Sequence, residues 1–64
     1  MELLGTRQVS ELTGIPEETL RYWRFRGDTG PASFKLGPKR VVYDRAEVER
    51  WIESQRAAST TGAA

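Results

Sequence analysis

Apolar residues recur at two spacings along the chain, three or four positions apart in some segments and two apart in others. The first spacing predicts amphipathic helices and the second predicts strands. Helical spacing relates Val9 to Leu12, Leu20 to Trp23, and Val48 to Trp51 and Ile52. Alternation occupies residues 34–36 and 41–43. We therefore expect a mainly α-helical chain with a small β-hairpin between the second and third helices.

Local signals predict the ends of the first two helices. Thr6 is a good N-cap for the first helix, which ends at Gly14. Pro16 suits the entry of the second helix, and Gly27 suits the left-handed residue that follows its end. Only residues 14–16 separate the two helices, a connection typical of a helix-turn-helix. A helical hairpin with a purely structural role is the alternative interpretation.

The hairpin is expected to pack one side against the helices, because two strands alone are not stable. Alternation around a four-residue turn at 37–40 places on that side Phe34, Leu36, Val41 and Tyr43. Lys35 and Val42 then fall on the other side. Pro38 suits the second position of the turn, so Lys39 and Arg40 are predicted at its tip.

The last helix has a clear start signal. Asp44 is its predicted N-cap, and Glu47 is placed like the acidic partner in a capping box. From residue 57 onward the sequence has no apolar period, so residues 57–64 are predicted to be a disordered tail. Residues 1–56 form the one predicted domain.

Charge is distributed unevenly, although the net charge is only +1. Residues 1–20 contain one arginine and four acidic residues, whereas residues 21–45 contain seven basic and two acidic residues. Residues 46–64 contain two arginines and three glutamates. A basic middle between mildly acidic ends favours one positive face, as in proteins that bind nucleic acid. A randomly mixed, solvated surface is the alternative.

Composition argues against several classes of protein. The chain has no cysteine and no histidine, so it lacks the commonest metal ligands and the usual general base. Its acidic residues are spread along helix surfaces and suggest no nucleophile–base pair. We therefore predict no enzymatic activity, no cofactor and no metal. The longest apolar run has three residues against roughly 20 for a membrane span, and no signal peptide is evident.

The second helix carries the main candidates for contact with DNA. The predicted DNA-binding residues of the whole chain are Thr19, Arg21, Tyr22, Arg24, Arg26, Lys35, Lys39 and Arg40. Arg21 is the first candidate for reading a base, because paired hydrogen bonds from arginine to guanine are the commonest specific contact. Arg24 and Arg26 are predicted to bind phosphates, with a simple helix C-terminal charge as the alternative for Arg26. Trp23 and Trp51 are assigned to the core, since each has aliphatic neighbours at helical spacing.

Taken in order, these elements resemble the small MerR-like winged helix-turn-helix proteins of the excisionase and AlpA group. The resemblance covers roughly residues 3–56. It is carried by Val-Ser-Glu-Leu-Thr-Gly-Ile at 9–15, Glu-Thr-Leu-Arg-Tyr-Trp at 18–23, Phe-Lys-Leu-Gly at 34–37 and Glu-Val-Glu-Arg-Trp at 47–51. In that family the second helix enters the major groove, and the hairpin, called the wing, lies along the backbone or the minor groove. The resemblance implies DNA contacts by Thr19, Arg21 and Tyr22, with Lys39 and Arg40 in the wing.

The chain departs from that family at the start of the second helix. Pro16 and Glu17 stand where serine and a basic residue are common. Glu17 and Glu18 oppose phosphate binding there, and they are expected to stabilise the helix start. A hydrogen bond from cytosine N4 to one of these two carboxylates is the alternative. Phe25 is an apolar residue on the otherwise polar side of the second helix. It is expected either to close over the loop after Gly27 or to contact a neighbouring copy of the protein.

The resemblance implies double-stranded DNA as the partner and leaves two roles open. An excisionase would load several copies on repeated sites, bend the DNA and direct an integrase to excision. A transcriptional regulator of the AlpA type would bind a promoter. A protein-interaction module is a third interpretation, which the arginine-rich helix opposes. We expect no small-molecule effector, a cytoplasmic location at the bacterial nucleoid, and head-to-tail association between an acidic last helix and the next basic wing.

Overall fold

The computed structural model describes residues 1–59 and contains the predicted order of three helices with a hairpin before the last. The elements are β1 (Leu3–Leu4), α1 (Thr6–Thr13), α2 (Glu17–Arg26), β2 (Phe34–Leu36), β3 (Arg40–Asp44) and α3 (Arg45–Ser59). Helices α1 and α2 form the helix-turn-helix, and β2 and β3 form the wing. The predicted winged helix-turn-helix fold is confirmed.

The three strands form one antiparallel sheet with β3 in the centre. On one side Leu3 pairs with Asp44, and on the other Phe34 pairs with Val42. Strand β1 was not predicted, because two residues are too few to show alternation. It ties the N-terminus of the chain to the wing, and the backbone N–H of Arg45 extends this link by donating to the Glu2 carbonyl at 2.8 Å.

The predicted facing of the hairpin is wrong for all three residues of β2, since Lys35 lies across from Val41 and shares its face, while Phe34 and Leu36 lie on the other face. Leu36 pairs with Arg40, so the turn holds three residues, 37–39, and not four. A shift of one residue moves every side chain of a strand to the opposite face. Phe34 and Leu36 therefore share a face with Val42, not with Tyr43, and remain 40% and 42% exposed. The same shift makes Arg40 the first residue of β3, next to the turn that contains Lys39.

The core lies where α1, α2 and α3 meet the sheet. Its buried side chains are Leu4, Val9, Leu20, Tyr43 and Val48, with Ile15, Trp23 and Ile52 packed against them. The Trp23 and Trp51 rings lie 5.9 Å apart between centroids, tilted by 58°, and both are half-buried. Trp23 packs against the core as predicted, whereas Trp51 lies beside Trp23 at the edge of that cluster. Leu12 differs from the prediction, since it does not share the burial of Val9 and is 44% exposed.

The ends of α1 and α2 and the start of α3 follow the local signals with one exception. Helices α1 and α2 end before Gly14 and Gly27, and Gly27 is left-handed, as predicted. Gly14 is left-handed too, and the N–H groups of the two glycines donate to the carbonyls of Ser10 and Trp23. Asp44 caps α3, since its Oδ1 accepts the N–H of Ala46 at 3.2 Å. The exception is Thr6, which is the first residue of α1 and not its N-cap. Gly5 occupies the cap position.

Helix α3 extends further than the sequence predicted. It continues through residues 57–59, which were assigned to a disordered tail. The rest of that tail, residues 60–64, lies outside the described residues. Across residues 1–59, no helix combines the length and the apolar character needed to cross a membrane.

Candidate nucleic-acid interface

Helix α2 is anchored by one buried side chain and presents most of the others outward. Leu20 is 1% exposed and belongs to the core. Thr19 is half-buried, whereas Arg21 and Tyr22 are exposed, with Tyr22 at 55%. The narrow apolar side of α2 therefore leaves a polar side available to a partner.

Arg21 is held by an ion pair within its own helix. Its Nη2 lies 3.1 Å from Oε1 of Glu17, one turn earlier, and the two side chains are 55% and 38% exposed. A pair spaced by four residues on a helix surface is a weak stabilising contact, worth about 0.2–0.5 kcal/mol. Its larger effect is geometric, since it aligns the guanidinium with the N-terminal turn of α2.

Arg24 has a different environment from the one predicted for it. Its Nη1 donates to the Thr6 hydroxyl and to the Tyr43 hydroxyl, each at 2.8 Å. The guanidinium carbon lies 5.8 Å from the centre of the Tyr43 ring. Arg24 is half-buried and links α2 to the start of α1 and to β3. It thus fixes the helix-turn-helix relative to the wing, a role that sequence reasoning missed because its partners are 18 and 19 residues away.

Arg26 makes a forked contact at the end of α2. Its Nε and Nη2 lie 3.2 Å and 3.3 Å from the two carboxylate oxygens of Asp28. The Thr29 hydroxyl also donates to this carboxylate, at 3.0 Å. This geometry is that of a local clamp on the turn after α2, in line with the helix C-terminal alternative for Arg26.

The wing carries basic side chains of another kind. Lys35, Lys39 and Arg40 are exposed, and within residues 1–59 none of them has a carboxylate at ion-pair distance. Six arginines elsewhere in that range do contact an acid, namely Arg7, Arg21, Arg26, Arg45, Arg50 and Arg56. Apart from Arg24, whose partners are neutral hydroxyls, the basic side chains without a carboxylate partner in residues 1–59 therefore lie on the wing.

A groove between α2 and the wing brings part of the predicted site together. Its lining residues are Arg21, Arg24, Phe25, Ser33, Phe34, Lys35 and Val41. Three of these are basic and none is acidic, so the groove favours an anion with an apolar neighbour, such as a phosphate and its sugar. Thr19, Tyr22, Arg26, Lys39 and Arg40 do not line it. They remain predicted contacts on the flanking surfaces.

The loop between α2 and β2 packs on Trp23 and not on Phe25. Gly30 lies so close to the Trp23 ring that a Cβ at this position would be 2.7 Å from Cε3. Phe25, by contrast, is 88% exposed. Of the two interpretations offered for Phe25, closure over the loop is therefore wrong, and its ring instead contributes to the groove beside the wing.

Helix α3 does not offer the free acidic surface that the head-to-tail hypothesis used. Glu47 pairs with Arg50, Glu49 with Arg45 at 3.1 Å, and Glu53 with Arg56 at 2.7 Å. The hydrogen bond from Arg56 holds the pKa of Glu53 below its usual range. Hydrogen bonding to Glu49 and the charge of Glu2 raise the pKa of Arg45. The acids of α3 are therefore neutralised within the fold.

No group of three or more potential metal-ligating side chains occurs in residues 1–59.

The chain matches a family model described as a helix-turn-helix domain, over residues 3–56. It belongs to that family, whose members bind DNA through this motif. A search of curated proteins and a search of solved structures each found no match.

Proposed function

We propose that this helix-turn-helix protein binds double-stranded DNA sequence-specifically, with α2 in the major groove and the wing along the phosphate backbone. The observation that carries the proposal is the concentration of unpaired positive charge on the wing, beside a basic groove that α2 also lines. Unpaired cations that lie close together on a surface repel each other, and binding to a polyanion such as DNA relieves this repulsion.

The proposed contacts divide by the surroundings of each side chain. Arg21 reads a base from the first half of α2, while Thr19 and Tyr22 contact the adjacent backbone. Lys35, Lys39 and Arg40 bind phosphates. Arg24 contributes its remaining N–H groups to the groove, and Arg26 adds positive charge at the end of α2. Contacts to phosphates set position and affinity, and the contact to a base edge sets sequence preference.

For the biological role we propose a recombination directionality factor, the excisionase of a phage or prophage. This proposal rests on the likeness of the chain to MerR-like excisionases and on the size of the domain. One short helix and one short wing read few base pairs, so adequate affinity requires several copies on repeated sites. Such loading bends DNA and recruits an integrase to the excision reaction.

Footprinting of the purified protein on the DNA that flanks its own gene, at two salt concentrations, tests this role. Gel shift counts the bound copies, and circularly permuted fragments report bending. An array of short direct repeats with bent DNA supports an excisionase, whereas one protected patch over a promoter replaces it with a transcriptional regulator. Absence of protection at low salt overturns DNA binding itself.

A matched pair of variants controls for non-specific charge effects. Arg40→Ala removes a cation from the wing, and Arg50→Ala removes one from α3, where Arg50 pairs with Glu47. We expect the first variant to weaken DNA binding and the second to leave it unchanged. Equal loss in both variants would contradict the proposed docking face.

A further inference from the structure

Helix α2 begins with two consecutive glutamates that have different surroundings. Oε1 of Glu17 lies 3.1 Å from Nη2 of Arg21. Glu18, next to it in the same turn, is exposed and makes no side-chain hydrogen bond or ion pair within residues 1–59. Both residues place a negative charge at the positive end of the helix dipole. Stabilisation of the helix start therefore explains why both residues are acidic. It does not explain why only Glu17 is paired with an arginine.

We propose that Glu17 is a positioning residue for Arg21 and raises the sequence discrimination of the protein. The proposal rests on the DNA-binding function proposed above. In it, Glu17 does not touch the DNA. It holds the guanidinium of Arg21 toward a base edge and prevents that guanidinium from moving onto a phosphate.

The ion pair and a base contact are compatible in their hydrogen bonding. A guanidinium has five N–H donors, of which the observed contact uses one on Nη2. Guanine presents two acceptors in the major groove, O6 and N7. Arg21 can therefore satisfy a guanine with donors that Glu17 leaves free.

Positioning has an energetic consequence for the specific complex. Immobilising a long, flexible side chain at an interface costs conformational entropy, and pre-ordering it removes an affinity penalty of about 2- to 12-fold. Glu17 supplies that order in the free protein, because it already holds Arg21 before DNA binds.

Charge gives the pair a second effect, on non-specific binding. Affinity for any duplex comes from cations that replace counterions at phosphates. Together Glu17 and Arg21 carry no net charge, so they add little to this sequence-independent attraction. The pair therefore strengthens the cognate complex without strengthening the others.

The test compares Glu17→Ala with Glu18→Ala. Each variant removes one negative charge from the same helical turn, and only the first frees Arg21. Dissociation constants are measured at one salt concentration for the site found by footprinting and for a scrambled duplex of equal length. We expect both variants to bind scrambled DNA more tightly, with the larger gain in Glu17→Ala, because only that change frees Arg21 to reach a phosphate. Only Glu17→Ala is expected to lower the ratio of cognate to scrambled affinity, by about 2- to 3-fold, since the ion pair that it removes is exposed and weak.

Two further variants separate positioning from other roles. Glu17→Gln removes the charge but keeps an oxygen acceptor for Arg21, so it should retain more of the discrimination than Glu17→Ala. In an Arg21→Ala background, Glu17→Ala should produce no further loss of discrimination. Melting temperatures of Glu17→Ala and Glu18→Ala should agree to within the small contribution of the Glu17–Arg21 ion pair, which shows that the helix start is affected similarly in both.

Three results would overturn the inference, and they differ from failure of the proposed function. Equal discrimination in Glu17→Ala and Glu18→Ala would exclude positioning. A loss that persists in the Arg21→Ala background would show that Glu17 contacts a base itself, for example cytosine N4. A wild-type protein without any sequence preference would remove the proposed function, and the inference with it.

Discussion

The basic residues of α2 and those of the wing carry the same charge in different surroundings. Each arginine of α2 has a partner inside the protein, which is a carboxylate for Arg21 and Arg26 and a pair of hydroxyls for Arg24. On the wing, Lys35, Lys39 and Arg40 have no carboxylate partner among residues 1–59. Partners hold a guanidinium in one direction, whereas an unpaired cation is free to follow a phosphate. We infer that α2 supplies direction and the wing supplies salt-dependent affinity.

The largest expected effect is a loss of stability in Arg24→Ala. The change leaves the Tyr43 hydroxyl without its donor, on a residue only 1% exposed, and disconnects α2 from β3. We expect a loss of about 1–3 kcal/mol in the free energy of unfolding, measured by urea denaturation. Tyr43→Phe, which keeps the ring, should lose less. Arg40→Ala on the wing is the control, and equal midpoints for Arg24→Ala and Arg40→Ala would contradict a structural role for Arg24.

Arg21→Ala should change binding without a comparable change in stability. A lost contact to a base costs about 1–3 kcal/mol at the cognate site and little on other sequences. Gel shifts with cognate and scrambled duplexes measure the difference. An unchanged cognate affinity would remove Arg21 from base reading, and an equal loss on both duplexes would make it a phosphate contact.

In contrast to Arg21→Ala, removal of a wing cation by Lys39→Ala or Arg40→Ala should weaken binding without changing sequence preference. Each is expected to weaken binding to all duplexes and to lower the slope of log affinity against log salt by about 1, because each removes one phosphate contact. The measurement is a titration over a range of salt concentrations. A loss confined to the cognate site, with an unchanged slope, would reverse the roles assigned to the wing and to α2.

The smallest effect concerns the exposed ion pairs of α3, which are not among the proposed DNA contacts. The pKa of Glu53 is lowered in the fold by the hydrogen bond from Arg56. This pair therefore stabilises the fold above the ordinary glutamate pKa, and the stabilisation is lost as the pH falls through the lowered value. Melting temperatures of wild type and Glu53→Gln should differ slightly at neutral pH and converge in acid. Divergence in acid would contradict the direction of the shift.

Local signals predicted most of the helical part of the fold. Val9, Leu20 and Val48 belong to the helical apolar spacing of the sequence and are buried, and the helix ends at Gly14 and Gly27 are as predicted. These features depend on residues within one or two turns of each other. They can be read from the chain because the interactions that create them are short in sequence.

The wing and the candidate site were predicted less completely. The register of the hairpin depended on whether the turn holds three or four residues, and the strand pattern alone did not decide between them. Pairing of Leu3 and Leu4 with β3 joins residues about 40 positions apart. Arg24 was recognised as a polar residue of α2, but its two hydroxyl partners lie on other elements.

The sequence by itself determined the identity and order of the helices, the ends at Gly14 and Gly27, the position of the hairpin and the basic character of the middle segment. It also contains the carboxylate partners of Arg21 and Arg26, which lie four and two residues away. Tertiary structure alone decided the register of the hairpin and the partners of Arg24, because the hydroxyls of Thr6 and Tyr43 meet Arg24 only after α1, α2 and β3 have packed. Charge along a chain therefore predicts that a surface is basic, but packing determines which arginine joins separate elements.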